Sequence, residues 1–196
     1  MEAESKLEQL RQKWNLAYQE ARQPGDVAAV LSENLHLLPA QGIALDLAAG
    51  LGANALCLAR QGLQVQAWDL SYIALEKIQV FAQERGLSID TEVRDVEKHP
   101  PLLEQFDVIV VSHFLDRAVI ADLIAALKPG GLIFYQTFTQ VKADPSIGPS
   151  SKRFTLGENE LLQLFTGLKV RVYREEGIVG DIGLGFRNEA MLVGQK

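Results

Sequence analysis

Asp46, Gly50 and Gly52 stand together in Ala44-Leu45-Asp46-Leu47-Ala48-Ala49-Gly50-Leu51-Gly52-Ala53-Asn54, where an apolar run ends in two closely spaced glycines. Glycine lets the backbone turn sharply and lets a ligand approach where a Cβ would collide. The helix-forming segment that follows opens with unpaired N–H groups and a partial positive charge aimed into that turn. Gly50-x-Gly52-x-x-Ala55 also fits the dinucleotide fingerprint, so the glycines name a nucleotide-type ligand without saying which. Asp46 discriminates. Its carboxylate, near the end of the apolar run, would repel a pyrophosphate but suits a ligand bearing an ammonium group.

Two further carboxylates extend the pattern. Asp69 stands 17 residues after Gly52 and can accept from both hydroxyls of a ribose. Asp95, in Arg94-Asp95-Val96, could accept from an exocyclic adenine amine while Val96 and Leu70 flank the ring. An adenosine with an ammonium describes S-adenosylmethionine, which adds a sulfonium, and the chemistry implied is methyl transfer. His113, in Ser112-His113-Phe114-Leu115-Asp116-Arg117, is the candidate for acid–base work, although a lone histidine is more often structural. Phe114, Arg117, Tyr135, Phe138 and Arg153 are candidates to meet the acceptor, and an arginine there would suit an anion. No second base is recognisable beside His113, and no metal cluster is expected.

The elements that must position these residues follow from periodicity. Leu7, Leu10, Trp14, Ala17, Tyr18 and Ala21 recur at helical spacing up to Pro24-Gly25, and Val27–Leu38 reads as a second helix stopped by Pro39. Strands are expected at Ile43–Ala48, Gln64–Asp69, Ser88–Arg94, Phe106–Ser112 and Leu132–Phe138. Helices are expected between them at Asn54–Arg60, after the N-cap Ser71, and at Ala118–Leu127 before Lys128-Pro129-Gly130-Gly131. Residues 140–151 read as a surface loop, and Glu158–Phe165 as a helix. Lys169–Glu175 and Arg187–Val193 follow with no helix between them, which makes a hairpin. The expected fold is α/β: a doubly wound, mostly parallel, seven-stranded Rossmann-like sheet with an antiparallel last strand. One domain is expected, with a helical cap over 1–40, a cofactor-binding core over 41–139, a flap over 140–157 and a helix plus strand hairpin over 158–196.

Composition bounds the partners. The formal net charge of −6 argues against nucleic acid, whose binders usually present a basic face. No apolar run approaches the roughly 20 residues of a membrane span. The opening Met1-Glu2-Ala3-Glu4-Ser5-Lys6 lacks a leader's basic start and apolar core, so a cytoplasmic location is expected. The single cysteine, Cys57, excludes an internal disulfide and reads as a buried thiol.

Asp46-x-Ala48-x-Gly50-x-Gly52, Asp69, Asp95, Phe106-Asp107-Val108-Ile109 and Leu127-Lys128-Pro129-Gly130-Gly131 resemble the successive motifs of class I S-adenosylmethionine-dependent methyltransferases. Within that superfamily, residues 45–56 are most similar to the tellurite-resistance and thiopurine-type branch, small enzymes that methylate soft, compact acceptors. That branch also carries an asparagine where this chain has Asn54. Its N-terminal Trp-Asp-x-x-Tyr is here Trp14-Asn15-Leu16-Ala17-Tyr18, and Ala53 replaces a common arginine. The resemblance implies that Asp46 holds the methionine ammonium and that the backbone from Ala48 to Gly52 lines the methionine moiety. Asp69 would hold the ribose, Asp95 and Val96 the adenine, and Ser112 and His113 would face the sulfonium and the acceptor. Tyr18 would close over the cofactor. A small, soft or anionic acceptor would need alignment more than a base, because displacement at a sulfonium has a good leaving group. Two other readings stand beside this one: an NAD(P)-dependent oxidoreductase, and a non-catalytic S-adenosylmethionine-binding protein.

Overall fold

Val108-Ile109-Val110-Val111 is apolar on both faces because both faces of its strand are covered by helices. The computed structural model describes the backbone of residues 2–196 and the side chains of residues 7–196. The opening Met1–Lys6, read above for a leader, lies outside the described side chains. The strands are β1 (Ile43–Leu47), β2 (Gln64–Asp69), β3 (Ile89–Val93), β4 (Phe106–Ser112), β5 (Leu127–Phe138), β6 (Lys169–Glu175) and β7 (Glu189–Gln195). They form one sheet in the order β3-β2-β1-β4-β5-β7-β6, parallel throughout except for β7, which runs antiparallel to both neighbours. The order reverses between β1 and β4, and in open sheets of this kind ligands bind beyond the strand ends at that point.

The helices are α1 (Glu2–Gln19), α2 (Ala29–Ser32), α3 (Ala53–Arg60), α4 (Tyr72–Gln83), α5 (Ile120–Ala126) and α6 (Glu160–Leu164). One apolar core lies between the sheet and α2, α3 and α4, with Val30, Leu58, Ile78, Val108, Val110 and Phe134 at its centre. The other lies under α5 and α6, around Leu45, Phe106, Ile109, Leu123, Tyr135 and Phe165. Each such buried side chain contributes about 1.5–3 kcal/mol, so neither face could be left bare.

The structure corrects two expectations. Val27–Leu38 is not one helix but the four residues of α2 followed by a single 3-10 turn over Leu35–Leu37. The Asn34 amide donates to the carbonyl of Val30, spending on a local bond what would have continued the helix. Likewise Lys128-Pro129-Gly130-Gly131 does not lie ahead of the fifth strand, expected from Leu132. It extends β5 with a register irregularity opposite Asp107, and Gly130 and Gly131 exchange backbone hydrogen bonds with Lys196.

Candidate active site

Side chains alternate faces along a strand, and this decides which candidates can meet. Asp46 follows Ala44 onto the α2–α4 face, Asp69 follows Val65 and Ala67, and Ser112 follows Val108 and Val110. Gln136 and Phe138 follow Phe134 to that face, and Glu189 joins Met191 and Val193 there. All six stand at the edge formed by the carboxyl ends of the parallel strands. Tyr135 goes to the opposite face, is fully buried, and donates its hydroxyl to the carbonyl of Phe114. Tyr135 and Phe138 therefore do not share a pocket.

The turn after β1 is built by left-handed backbone at Ala48, Gly50 and Gly52. Gly52 is fixed by packing: a Cβ there would stand 2.6 Å from Ile78 of α4. A Cβ on Gly50 would stand 3.0 Å from the hydroxyl of Tyr18, so α1 brings that ring directly over the turn. Asp69 holds the turn from below. Its Oδ2 accepts from the Gly50 amide at 2.8 Å and its Oδ1 from the Ser71 amide at 2.8 Å. Each oxygen keeps a further lone pair.

Asp46 is fully buried, with Oδ2 accepting from the Ala55 amide at 2.9 Å at the start of α3. Its Oδ1 is buried with no partner among the described residues. Burial pushes its carboxyl up to about 8, against the lowering effect of the Ala55 hydrogen bond. An acceptor oxygen of this kind, beside a glycine turn, fits a ligand ammonium. Asn54 spans two elements: its Oδ1 accepts from the Ala28 amide at 3.0 Å and its Nδ2 donates to Ser112 Oγ at 2.9 Å.

Beyond Ser112 the chain turns through His113, whose φ of 55° is left-handed. Its ring stacks on Phe138 with centroids 4.8 Å apart, and its Nε2 lies 3.2 Å from both carboxylate oxygens of Glu189. Glu189 is held in turn by the amide of Gln136 at 2.5 Å, and Gln136 Oε1 accepts from the Val30 amide at 2.7 Å. The sequence reading missed Glu189 and Gln136. The available signal was a carboxylate opening an otherwise apolar strand, Glu189-Ala190-Met191-Leu192-Val193.

The remaining candidates are placed elsewhere. Arg117 makes a bidentate pair with Glu160, at 2.5 and 2.9 Å, and donates to the carbonyls of Arg153 and Thr155. That spends four N–H bonds on fastening α6 and the 151–155 segment. Asp95 caps its own turn by accepting from the Glu97 amide, and Lys98 lies 3.7 Å away. Val96 packs at the margin of the α5–α6 core, and Leu70 is half-buried. Phe138 also packs on the 140–157 segment, where a Cβ on Gly148 would stand 2.4 Å from its ring. An open cavity of about 530 Å³, lined by Arg22, Phe81 and Arg85 among others, shares no lining residue with this site.

Residues 44–131 match the family model described as a methyltransferase domain. The chain is 30% identical over 126 residues to a ubiquinone biosynthesis O-methyltransferase of Methylobacterium nodulans, a match covering 61% of this chain and 51% of that protein. The chain thus spans about half the length of such relatives. TehB from Haemophilus influenzae superposes with a TM-score of 0.69 at 21% identity, over 91% of this chain and 65% of that one. An S-adenosylmethionine-dependent methyltransferase of Methanosarcina mazei gives 0.66 at 20% identity, over 88% of this chain and 99% of that one. Among the described residues, no helix is long and apolar enough to cross a membrane. Residues 44–131 thus resemble a methyltransferase domain, and the chain has the fold of the S-adenosylmethionine-dependent methyltransferase with which it superposes.

Proposed function

We propose that this chain binds S-adenosylmethionine beside Asp46, Gly50 and Asp69 and methylates a hydroxyl on a small, uncharged acceptor, with His113 as the base. The observation that carries the choice of acceptor is the His113–Glu189 pair. A carboxylate on Nε2 favours the tautomer with a proton there, which leaves Nδ1 free to accept one, and it stabilises the imidazolium that results. When bound, S-adenosylmethionine supplies a methyl group on a sulfonium leaving group. Asp46 would hold its ammonium and Asp69 its ribose through the lone pairs the turn leaves free. Phe138 and Ser112 would fix the approach of the acceptor.

An anionic acceptor is less well served. Arg117, the cation expected to meet it, is committed to Glu160, and the charge that reaches His113 is the carboxylate of Glu189. The name of the relatives, O-methyltransferase, favours the same acceptor atom. Incubation with methyl-labelled cofactor and a panel of phenols, aliphatic hydroxyls, thiols, amines and oxyanions tests the reading. Label in a hydroxyl compound is the expected result. Transfer to oxyanions or thiols alone would sink it, and saturable binding of NAD without S-adenosylmethionine binding would return the oxidoreductase.

A further inference from the structure

Lys77, half-buried on α4, has no acidic partner among the described residues. Its ammonium instead donates to three main-chain carbonyls, those of Tyr18 at 2.6 Å, Gln19 at 2.7 Å and Ala21 at 2.6 Å. These are the carbonyls where α1 ends, and α1 carries no basic residue in its own last turn. A cation from another helix therefore caps it, satisfying orphan acceptors and complementing the helix dipole.

The cap matters because, among the described residues, little else holds α1 down. Its apolar stripe is poorly covered, with Leu10 39% and Trp14 38% exposed. The other fastening is Ser71 Oγ, which donates to Asn15 Oδ1 at 2.7 Å while capping α4. Between these two fastenings α1 carries Tyr18, whose hydroxyl stands over Gly50. We propose that Lys77 is a positioning residue for cofactor binding: by gathering the end of α1 onto α4 it holds Tyr18 over the glycine turn, where the ring covers bound S-adenosylmethionine. The proposal rests on the reading that the cofactor binds at that turn. Two structural facts make the coupling direct. Tyr18 is itself one of the residues whose carbonyl Lys77 holds, so the clasp and the ring cannot move independently. Tyr18 also senses the site, since burial and the neighbouring Asp69 carboxylate push its hydroxyl up to about 12.

The test is a double-mutant cycle read by calorimetry with S-adenosylhomocysteine and by steady-state kinetics. Lys77→Met should raise Kd and the cofactor KM about fivefold to tenfold while kcat at saturating cofactor changes less than about twofold. Lys77→Arg, which keeps the charge and the donors, should recover most of the affinity. In a Tyr18→Ala background the Lys77→Met change should add less than about twofold, because the residue through which it acts is gone. Wild-type affinity in Lys77→Met, or full additivity with Tyr18→Ala, overturns the assignment while leaving the cofactor site intact. A wild-type chain that does not bind S-adenosylhomocysteine or S-adenosylmethionine overturns the site reading and this inference with it.

Discussion

His113 and Glu189 face each other across the end of the sheet, with the histidine Nε2 3.2 Å from each carboxylate oxygen. The register of β5 with β7 sets this pair: Phe138 lies opposite Glu189, and Phe138 stacks on the histidine ring. If His113 accepts a proton from the acceptor, His113→Ala should lower turnover on a hydroxyl acceptor by about 10²–10⁴. A loss smaller than about tenfold would restore a mechanism of alignment alone.

Glu189 makes a separate prediction because it touches His113 and not the acceptor. Glu189→Gln keeps the shape and an acceptor oxygen but removes the charge that favours the imidazolium. Turnover should drop about tenfold to hundredfold with the acceptor KM nearly unchanged, in line with other partners that orient a functional histidine. Unchanged turnover would show that Glu189 only fastens Gln136.

Asp69→Ala tests whether one carboxylate serves both fold and ligand. The sequence assigned Asp69 to a ribose alone, but its oxygens already hold the Gly50 and Ser71 amides. Hydrogen bonds to a charged group contribute about 1.5–3 kcal/mol each, so the variant should lose stability as well as cofactor affinity. A melting curve and a cofactor titration on the same sample separate the two. Weaker binding with an unchanged melting temperature would mean that the turn holds without Asp69.

What the sequence made legible was whatever depends on local pattern. The carboxyl ends of the parallel strands, the glycine turn, the carboxylates beside it and the terminal hairpin are written as runs and breaks, and they lie close to where the periods put them. The pairing of His113 with Glu189, 76 residues apart, is written nowhere locally, because it arises from the register of antiparallel β7 on β5. Arg117 illustrates the opposite failure. Its position after β4 suggested an acceptor site, whereas its use is set by Glu160, which α6 brings from 43 residues away. Tyr135 and Phe138 are both aromatic candidates for the acceptor in the sequence, and the period-two alternation of β5 separates them.

Asp46 gives the sharpest prediction, because its cost to the fold and its use to the ligand have opposite signs. Burial raises its carboxyl to about 8, well above the value an unfolded chain would show. Between the ordinary carboxylate range and about pH 8 the native state therefore binds one proton that the unfolded state does not. Stability contributed by this group is full at low pH and declines as pH rises through that window, with a limiting slope of about 1.4 kcal/mol per pH unit. A ligand ammonium beside the unpartnered Oδ1 reverses the balance by favouring the ionised form, so binding near neutral pH should release a proton. Calorimetry in buffers of different ionisation enthalpy measures that release directly. Asp46→Asn keeps an oxygen for the Ala55 amide and removes the charge, so the ligand-free protein should melt higher and lose part of its pH dependence. The same variant should bind S-adenosylhomocysteine about tenfold or more weakly and release no proton on doing so. This is the usual exchange of stability for function at a buried charge. An Asp46→Asn protein that binds with wild-type affinity, or melts lower without ligand, would remove the ammonium from this site.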